Sequence, residues 1–287
     1  MCRRIPSWLG QTDGRKSQEL LSSKLEKSGV MIMSKKYRLD WILAHMGHGS
    51  RKEIRKMIKA GRVTVNENTV FDPAQKINTD TEKIRVDDEP VFFKRHIYLM
   101  FNKPAGCVSA TVDNREKTVI ELLSEKDRIF MPFPVGRLDK DTEGLLIITN
   151  DGSFAHNITS PRKKIKKTYY AEINGFISTK DQEIFRAGVE LDDGYITLPA
   201  ELDIISSNLN SKVRVSIVEG KYHQVKRMFR AVGKEVTYLK RLCIGNVELD
   251  ESLKPGEYRE LKKQELDFLF SADKEELQEN TMVGKKK

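Results

Sequence analysis

The chain has 287 residues, with 51 Lys and Arg against 42 Asp and Glu, a formal net charge of +9. That length suffices for one large or two ordinary domains, and the basic excess points to polyanionic partners, RNA and DNA first, with a generally basic soluble protein as the alternative. The three cysteines, Cys2, Cys107 and Cys243, lie far apart without a Cys-x-x-Cys pair, so no disulfide framework or cysteine zinc site is indicated. No apolar run reaches the length of a membrane span.

Residues 1–35 mix Arg3, Arg4, Arg15 and Lys16 with Asp13, Glu19 and Glu26 and have no apolar core. This is no secretory signal, and the acidic residues argue against a transit peptide. A disordered extension is expected, with Met33-Ser34-Lys35-Lys36 as a natural start.

From Tyr37 the pattern turns helical, because Leu39, Ile42, Leu43 and Met46 recur on one helix face. Gly47 and Gly49 end that helix. Ser50, with Glu53 three residues on, opens a second, whose apolar stripe is Ile54, Met57 and Ile58 and whose C-cap is Gly61. Its other side carries Arg51, Lys52, Arg55, Lys56 and Lys59 within an arc of about 140° at about 100° per residue. A solvated face normally mixes signs, since like charges four apart repel. A stripe of one sign suits a run of phosphates; a lysine-rich surface is the bland alternative. Short strands follow at Val63–Val65 and Ile84–Val86, with turns at Asn66-Glu67-Asn68 and Asp87-Asp88. Two helices and small strands around Ala60-Gly61-Arg62-Val63-Thr64-Val65-Asn66 resemble the alpha-L RNA-binding domain. That resemblance implies structured RNA as the partner and places the module at 36–95.

Residues 96–270 form the second expected domain, followed by a polar tail at 271–287. Ile97, Leu99 and Phe101 alternate with Tyr98, Met100 and Asn102 as in a strand, and Lys103-Pro104-Ala105-Gly106 reads as a turn. Val119 to Leu123 reads as a short helix, and Met131-Pro132-Phe133-Pro134 as extended backbone. The segment Gly136 to Gly144 crowds Asp139, Asp141 and Glu143 with Arg137 and Lys140, then runs into the buried strand Leu145 to Thr149, closed by an Asp151-Gly152 turn. Strands are expected at Lys167–Ile173 and Val213–Ile217. A helix is expected on Val225, Met228, Phe229 and Val232, with Gly233 as C-cap. There is no glycine-rich phosphate loop, and His45 and His48 lack a third metal ligand nearby. The simplest class is α+β: a small alpha-L domain, then a mixed, mainly antiparallel sheet.

Four motifs occur in order: Lys103-Pro104-x-Gly106; Gly136-Arg137-Leu138-Asp139-x-Asp141-Thr142-x-Gly144-Leu145; Lys167-Thr168-Tyr169; and Glu219-Gly220-Lys221-Tyr222-His223-Gln224-Val225-Lys226-Arg227-Met228. The series resembles the pseudouridine synthases that modify bacterial ribosomal RNA and carry the same small RNA-binding domain in front. His223 to Phe229 and Ile158-Thr159-Ser160-Pro161-Arg162 resemble the small-subunit (16S) enzyme more than its large-subunit relatives. The resemblance implies that uracil is detached from its ribose, turned and rejoined through carbon, with no cofactor and no metal. It implies ribosomal RNA, within a small-subunit assembly intermediate, as partner of a cytoplasmic monomer with no membrane association. Large-subunit RNA is the first alternative, and a non-catalytic RNA-binding assembly protein the second.

The same resemblance makes Asp139 the catalytic carboxylate, which composition alone does not choose over Asp141 or Glu143. Attack on the sugar, attack on the base, and proton abstraction from the sugar are all open to it. Burial disfavours an ionised carboxylate and a nearby cation restores it. Lys226 is expected to be that cation, at the edge of the apolar stripe about 100° from Val225, with Arg227 and Arg230 facing outward to RNA. Tyr169 matches the family's active-site tyrosine, and Tyr170 should face the other side of the sheet. Arg137 is expected to hold the flipped backbone or fill the vacated stack. Lys103 is expected to support the sheet or a phosphate. Lys221 departs from an arginine common in the family; a phosphate contact survives that change, a bidentate one does not.

Overall fold

Residues 35–271 are described by the structure, a computed structural model. The expected extension up to residue 34 and the tail beyond 271 lie outside the described residues. The described chain divides into two units, residues 35–42 with 51–91, and residues 43–50 with 92–271.

The first unit contains six short strands: β1 (Lys36–Arg38), β2 (Val63–Val65), β3 (Asn68–Thr69), β4 (Lys76–Asn78), β5 (Ile84–Val86) and β6 (Glu89–Val91). β1 pairs with β4, and the other four form a sheet in the order β3-β2-β5-β6. Two tight hairpins close this sheet. Asn66 and Glu67 (φ 49° and 68°) turn β2 into β3, and Asp87 and Asp88 (φ 46° and 67°) turn β5 into β6. Two successive positive φ values match the right-handed twist of the flanking strands, and Asn and Asp tolerate them better than most residues. Of the two expected helices, Leu39–His45 and Arg51–Lys59, the second buries Ile54 and Ile58 and leaves Arg51, Lys52, Arg55, Lys56 and Lys59 exposed. Arg55 lies 3.7 Å from Asp40, which Arg38 also binds.

The second unit is a nine-stranded sheet. Its strands are β7 (Tyr98–Lys103), β8 (Phe133–Val135), β9 (Glu143–Thr149), β10 (Lys167–Asn174), β11 (Glu201–Ser206), β12 (Asn210–Ile217), β13 (Glu235–Ile244), β14 (Val247–Glu248) and β15 (Tyr258–Glu260). The order is β11-β12-β10-β13-β9-β7-β15, with β14 on β13 and β8 on β9. All neighbours are antiparallel except β9 and β13, which run parallel. Leu146 and Ile148 pack into one core with Tyr169, Met228 and Phe229; Leu145 and Ile147 pack into the other with Phe154 and Ile158. β9 is therefore covered on both faces, which is why its sequence is continuously apolar. Among the described residues, no helix is long and apolar enough to cross a membrane.

Three local expectations are corrected. Val119 to Leu123 is not helical. The side chains of Thr118 and Glu121 bond each other's backbone N–H, a local alternative to helix, and the helix begins later, at Glu125–Arg128. Met131 has φ 49° rather than extended backbone. Its N–H closes onto the Arg128 carbonyl, and Pro132 bars the right-handed helical region, so extension starts at Phe133. Asp151 caps the helix Gly152–Thr159 by accepting from the N–H groups of Ser153 and Phe154, so Asp151-Gly152 starts a helix instead of turning a hairpin.

The parallel pairing sets the chain's path into β9. Lys240 and Arg241 lie beside Glu143 and Gly144. Gly144 has φ 100°, and a Cβ there would fall 2.2 Å from the Arg241 carbonyl oxygen. Only glycine meets both demands. Gly144→Ala is expected to destabilise the protein by about 3–5 kcal/mol, seen as a lower urea midpoint at unchanged slope; an unchanged midpoint would contradict the packing described.

Candidate active site

The charged segment becomes a fixed loop before it enters β9. The Ser109 hydroxyl accepts from the Leu138 N–H at 3.0 Å and donates to the Leu138 carbonyl at 2.8 Å. The Thr142 N–H closes a tight turn on the Asp139 carbonyl. Beneath the turn lies Lys103, with no exposed surface. Its ammonium donates to the carbonyls of Pro104 (3.0 Å), Lys140 (3.2 Å) and Thr142 (2.9 Å). An ammonium has three protons, and all three are used. The phosphate role considered for Lys103 is thereby excluded; the residue supports the loop. Desolvation pulls its pKa below the usual lysine value, against the acidic groups Cys107, Asp141, Asp139 and Glu143 nearby. The Gly106 N–H also bonds the Lys140 carbonyl, so the Lys-Pro-x-Gly turn and the charged loop are one assembly.

The helix Gln224–Ala231 supplies the opposing wall. Lys226 reaches back to the loop, where its Nζ lies 3.4 Å from Asp139 Oδ2 and 2.6 Å from Asp141 Oδ1. The expected Lys226–Asp139 juxtaposition is present, but the shorter contact is to Asp141. Desolvation pushes the Asp141 carboxyl up, yet the hydrogen bond and charge of Lys226 outweigh it and hold the group below its usual value. His223 approaches from the helix start, its Nε2 3.5 Å from Asp139 Oδ1. Glu143, two residues beyond Asp141, turns to Tyr238 and accepts from its hydroxyl at 2.7 Å. Burial, then that bond, raises the tyrosine's pKa.

Tyr169 closes the floor. It is buried on β10, and with Arg137, Asp139, Thr142, His223 and Lys226 it lines one narrow cleft of about 70 Å³. Arg241, directly across from Tyr169 on β13, holds its guanidinium 6.0 Å from the tyrosine ring and donates to the Leu145 carbonyl. Burial, and behind it Arg241, brings the neighbouring Lys167 ammonium down to about 8. Tyr170 faces the other side, bonded to Glu172. A larger cavity of about 550 Å³, lined by Thr168, Ser216 and Leu242, opens on that far face and contains none of the candidate residues.

The helix start is built on a buried acid. Glu219 accepts from the Tyr195 hydroxyl, the Leu198 N–H and the Gln224 amide, and Gln224 in turn accepts from the Lys221 N–H. Lys221, Arg137 and Arg230 are exposed, and Lys221 rests over the Tyr195 ring at 4.5 Å. Arg227 does not face outward as expected. Only 14% of its side chain is exposed, and it is bound by Asp192 and Asp193 in the facing turn.

These features can be set beside known proteins. The profile described as RNA pseudouridylate synthase matches residues 97–231, and the S4 domain profile matches residues 38–82. An uncharacterized RNA pseudouridine synthase of Bacillus subtilis (strain 168) is 48% identical over 233 residues, covering 81% of this chain and 98% of that protein. The ribosomal small subunit pseudouridine synthase A of Vibrio vulnificus (strain CMCP6) is 42% identical, covering 81% and 99%. The chain belongs to the RNA pseudouridylate synthase family. The enzyme of the same name from Escherichia coli (strain K12) is 39% identical, covering 80% and 98%. A crystal structure of a pseudouridylate synthase matches with a TM-score of 0.57 at 35% identity, covering 81% of this chain and 99% of that one.

As an RNA pseudouridylate synthase the chain is an isomerase, and the matched stretch contains Asp139, Tyr169 and Lys226. The front module is an S4 domain, the RNA-binding type expected from its helices. Sequence reasoning missed His223 and Arg241 as neighbours of these residues. A signal for Arg241 existed, since alternation places it with Leu239 on the core side of β13. For His223 there was none, because its backbone is left-handed (φ 48°). Replacing Lys103 by Met should strand three loop carbonyls and cost about 2–4 kcal/mol in urea unfolding, whereas Lys221→Met should stay within about 0.5 kcal/mol. Equal effects would refute the support role of Lys103.

Proposed function

We propose that this synthase converts one specific uridine of small-subunit (16S) ribosomal RNA to pseudouridine, with Asp139 as the catalytic carboxylate. The observation that carries this is the convergence of Asp139, Tyr169 and Lys226 on one cleft, contributed by a loop, a strand and a helix. Support for the small-subunit substrate comes from the relatives in Vibrio and Escherichia, which are named for the small ribosomal subunit.

The target uridine leaves its helix and enters the cleft, where its base stacks on Tyr169. Water leaves with it, and Lys226, 3.4 Å from Asp139, stands as the carboxylate's counter-charge in the closed cleft. The glycosidic bond between N1 and the ribose C1′ breaks, the uracil turns in place, a C–C bond forms between its C5 and C1′, and the freed N1 takes up a proton. The C5 hydrogen departs to solvent, with the Tyr169 hydroxyl taking part in that transfer. Oxidation state is unchanged, so no cofactor is needed. Residues 36–95 serve as the RNA-docking domain and 96–270 as the catalytic domain. Arg51, Lys52, Arg55, Lys56 and Lys59 bind phosphates in the first, Arg137, Lys221 and Arg230 in the second. Arg227 is left out, its guanidinium being held by Asp192 and Asp193. The enzyme works as a cytoplasmic monomer on an assembly intermediate of the small subunit.

Because the C5 hydrogen is lost, tritium release from [5-³H]uridine-labelled small-subunit RNA follows the reaction. Asp139→Ala should reduce release by at least about 10³-fold while RNA affinity stays within about three-fold. Normal release by that variant would remove Asp139 from the chemistry. Replacing Arg51, Arg55 and Lys59 together by Ala should weaken RNA binding and flatten its salt dependence by about 1 in slope per lost phosphate contact. An unchanged slope would remove this helix from the RNA interface.

A further inference from the structure

Tyr222 and His223 form a two-ring stack, with centroids 3.8 Å apart and planes 16° from parallel. Consecutive side chains normally diverge, on strands to opposite faces and on helices by about 100°. They meet here because His223 takes a left-handed conformation (φ 48°, ψ 30°) at the start of the helix Gln224–Ala231. A residue with a Cβ is rarely found there, and the His223 side chain makes no capping bond to the helix. The conformation does two things: it brings Nε2 to within 3.5 Å of Asp139, and it lays the imidazole flat against Tyr222.

Tyr222 is 73% exposed as a residue, whereas Tyr169 in the same region is 8% exposed. An aromatic ring fixed on one face and open to water on the other gains nothing for the fold. It is suited to receive another flat ring. The flanking charges fit an RNA strand: Lys221 and Arg137 are exposed, and both line the cleft beside His223.

We propose that Tyr222 is a stacking platform for an unpaired nucleobase of the RNA next to the flipped uridine, with Lys221 on that nucleotide's phosphate. The stack then runs from the bound base through Tyr222 and His223 to the Asp139 carboxylate. This inference rests on the reading of the Asp139 cleft as the uridine site. The occupant is a base because stacking is open to any nucleobase and does not need a hydrogen-bonding edge.

The test compares the full chain with Tyr222→Ala, Tyr222→Phe and Lys221→Ala, binding small-subunit RNA at several salt concentrations. Tyr222→Ala should weaken binding about ten-fold or more and leave the salt slope unchanged, because stacking releases no counterions. Tyr222→Phe should bind within about two-fold of the parent. Lys221→Ala should lower the slope by about 1. In tritium release, Tyr222→Ala should raise KM with its loss of affinity and keep kcat within a few-fold at saturating RNA. Parental affinity in Tyr222→Ala overturns the platform. So does a fall in kcat at unchanged affinity, which would make Tyr222 a prop for His223. If the parent chain releases no tritium, the reading of the cleft has failed, while the binding comparison still decides the platform.

Discussion

One buried ammonium organises the loop that carries Asp139. The segment from Gly136 to Thr142 makes a sharp turn beside a closely packed sheet, and such a turn leaves carbonyl groups facing inward. Lys103, at the end of β7, meets two of them, at Lys140 and Thr142, and spends its third proton on the Pro104 carbonyl. Burying the charge costs free energy, which is why its pKa falls; the compensation is a loop with few alternative conformations. Gly144 completes the constraint by letting β9 run against β13 with no side chain between them. The position of Asp139 follows from these two backbone devices more than from any contact of its own carboxylate.

That arrangement sorts three neighbouring acids by environment. Asp139 stands between Lys226 and His223 with a quarter of its side chain exposed. Asp141 is mostly exposed and takes the shortest bond from Lys226. Glu143 turns away to Tyr238. Lys226 therefore serves two carboxylates, one to anchor it and one at the cleft. A cation tethered in this way keeps its place when the cleft is empty, and incoming RNA meets a preset charge pattern. In the isomerase reading, little reorganisation remains to be done when the uridine arrives.

How much of this was legible follows from the range of the interactions involved. The basic helix Arg51–Lys59 and the helix Gln224–Ala231 follow from local periodicity and the strand β9 from its short apolar run, and each formed near its expected place. The edge position of Lys226 was readable for the same reason. The outward pointing given to Arg227 used the same wheel and was wrong, because Asp192 and Asp193 lie some 35 residues away in sequence and no helix wheel includes them. Lys103 could not be resolved, since its partners are backbone carbonyls, which carry no sequence signature. The missing helix at Val119–Leu123 lost to a side-chain bond between Thr118 and Glu121 that propensity does not count.

The most direct test of the isomerase account is a nucleotide-resolution pseudouridine map of small- and large-subunit ribosomal RNA, each stripped of modifications and incubated with the purified protein. The account requires one new pseudouridine, in the small-subunit RNA. New sites confined to the large-subunit RNA would contradict the substrate, and no new site in either RNA would contradict the reaction.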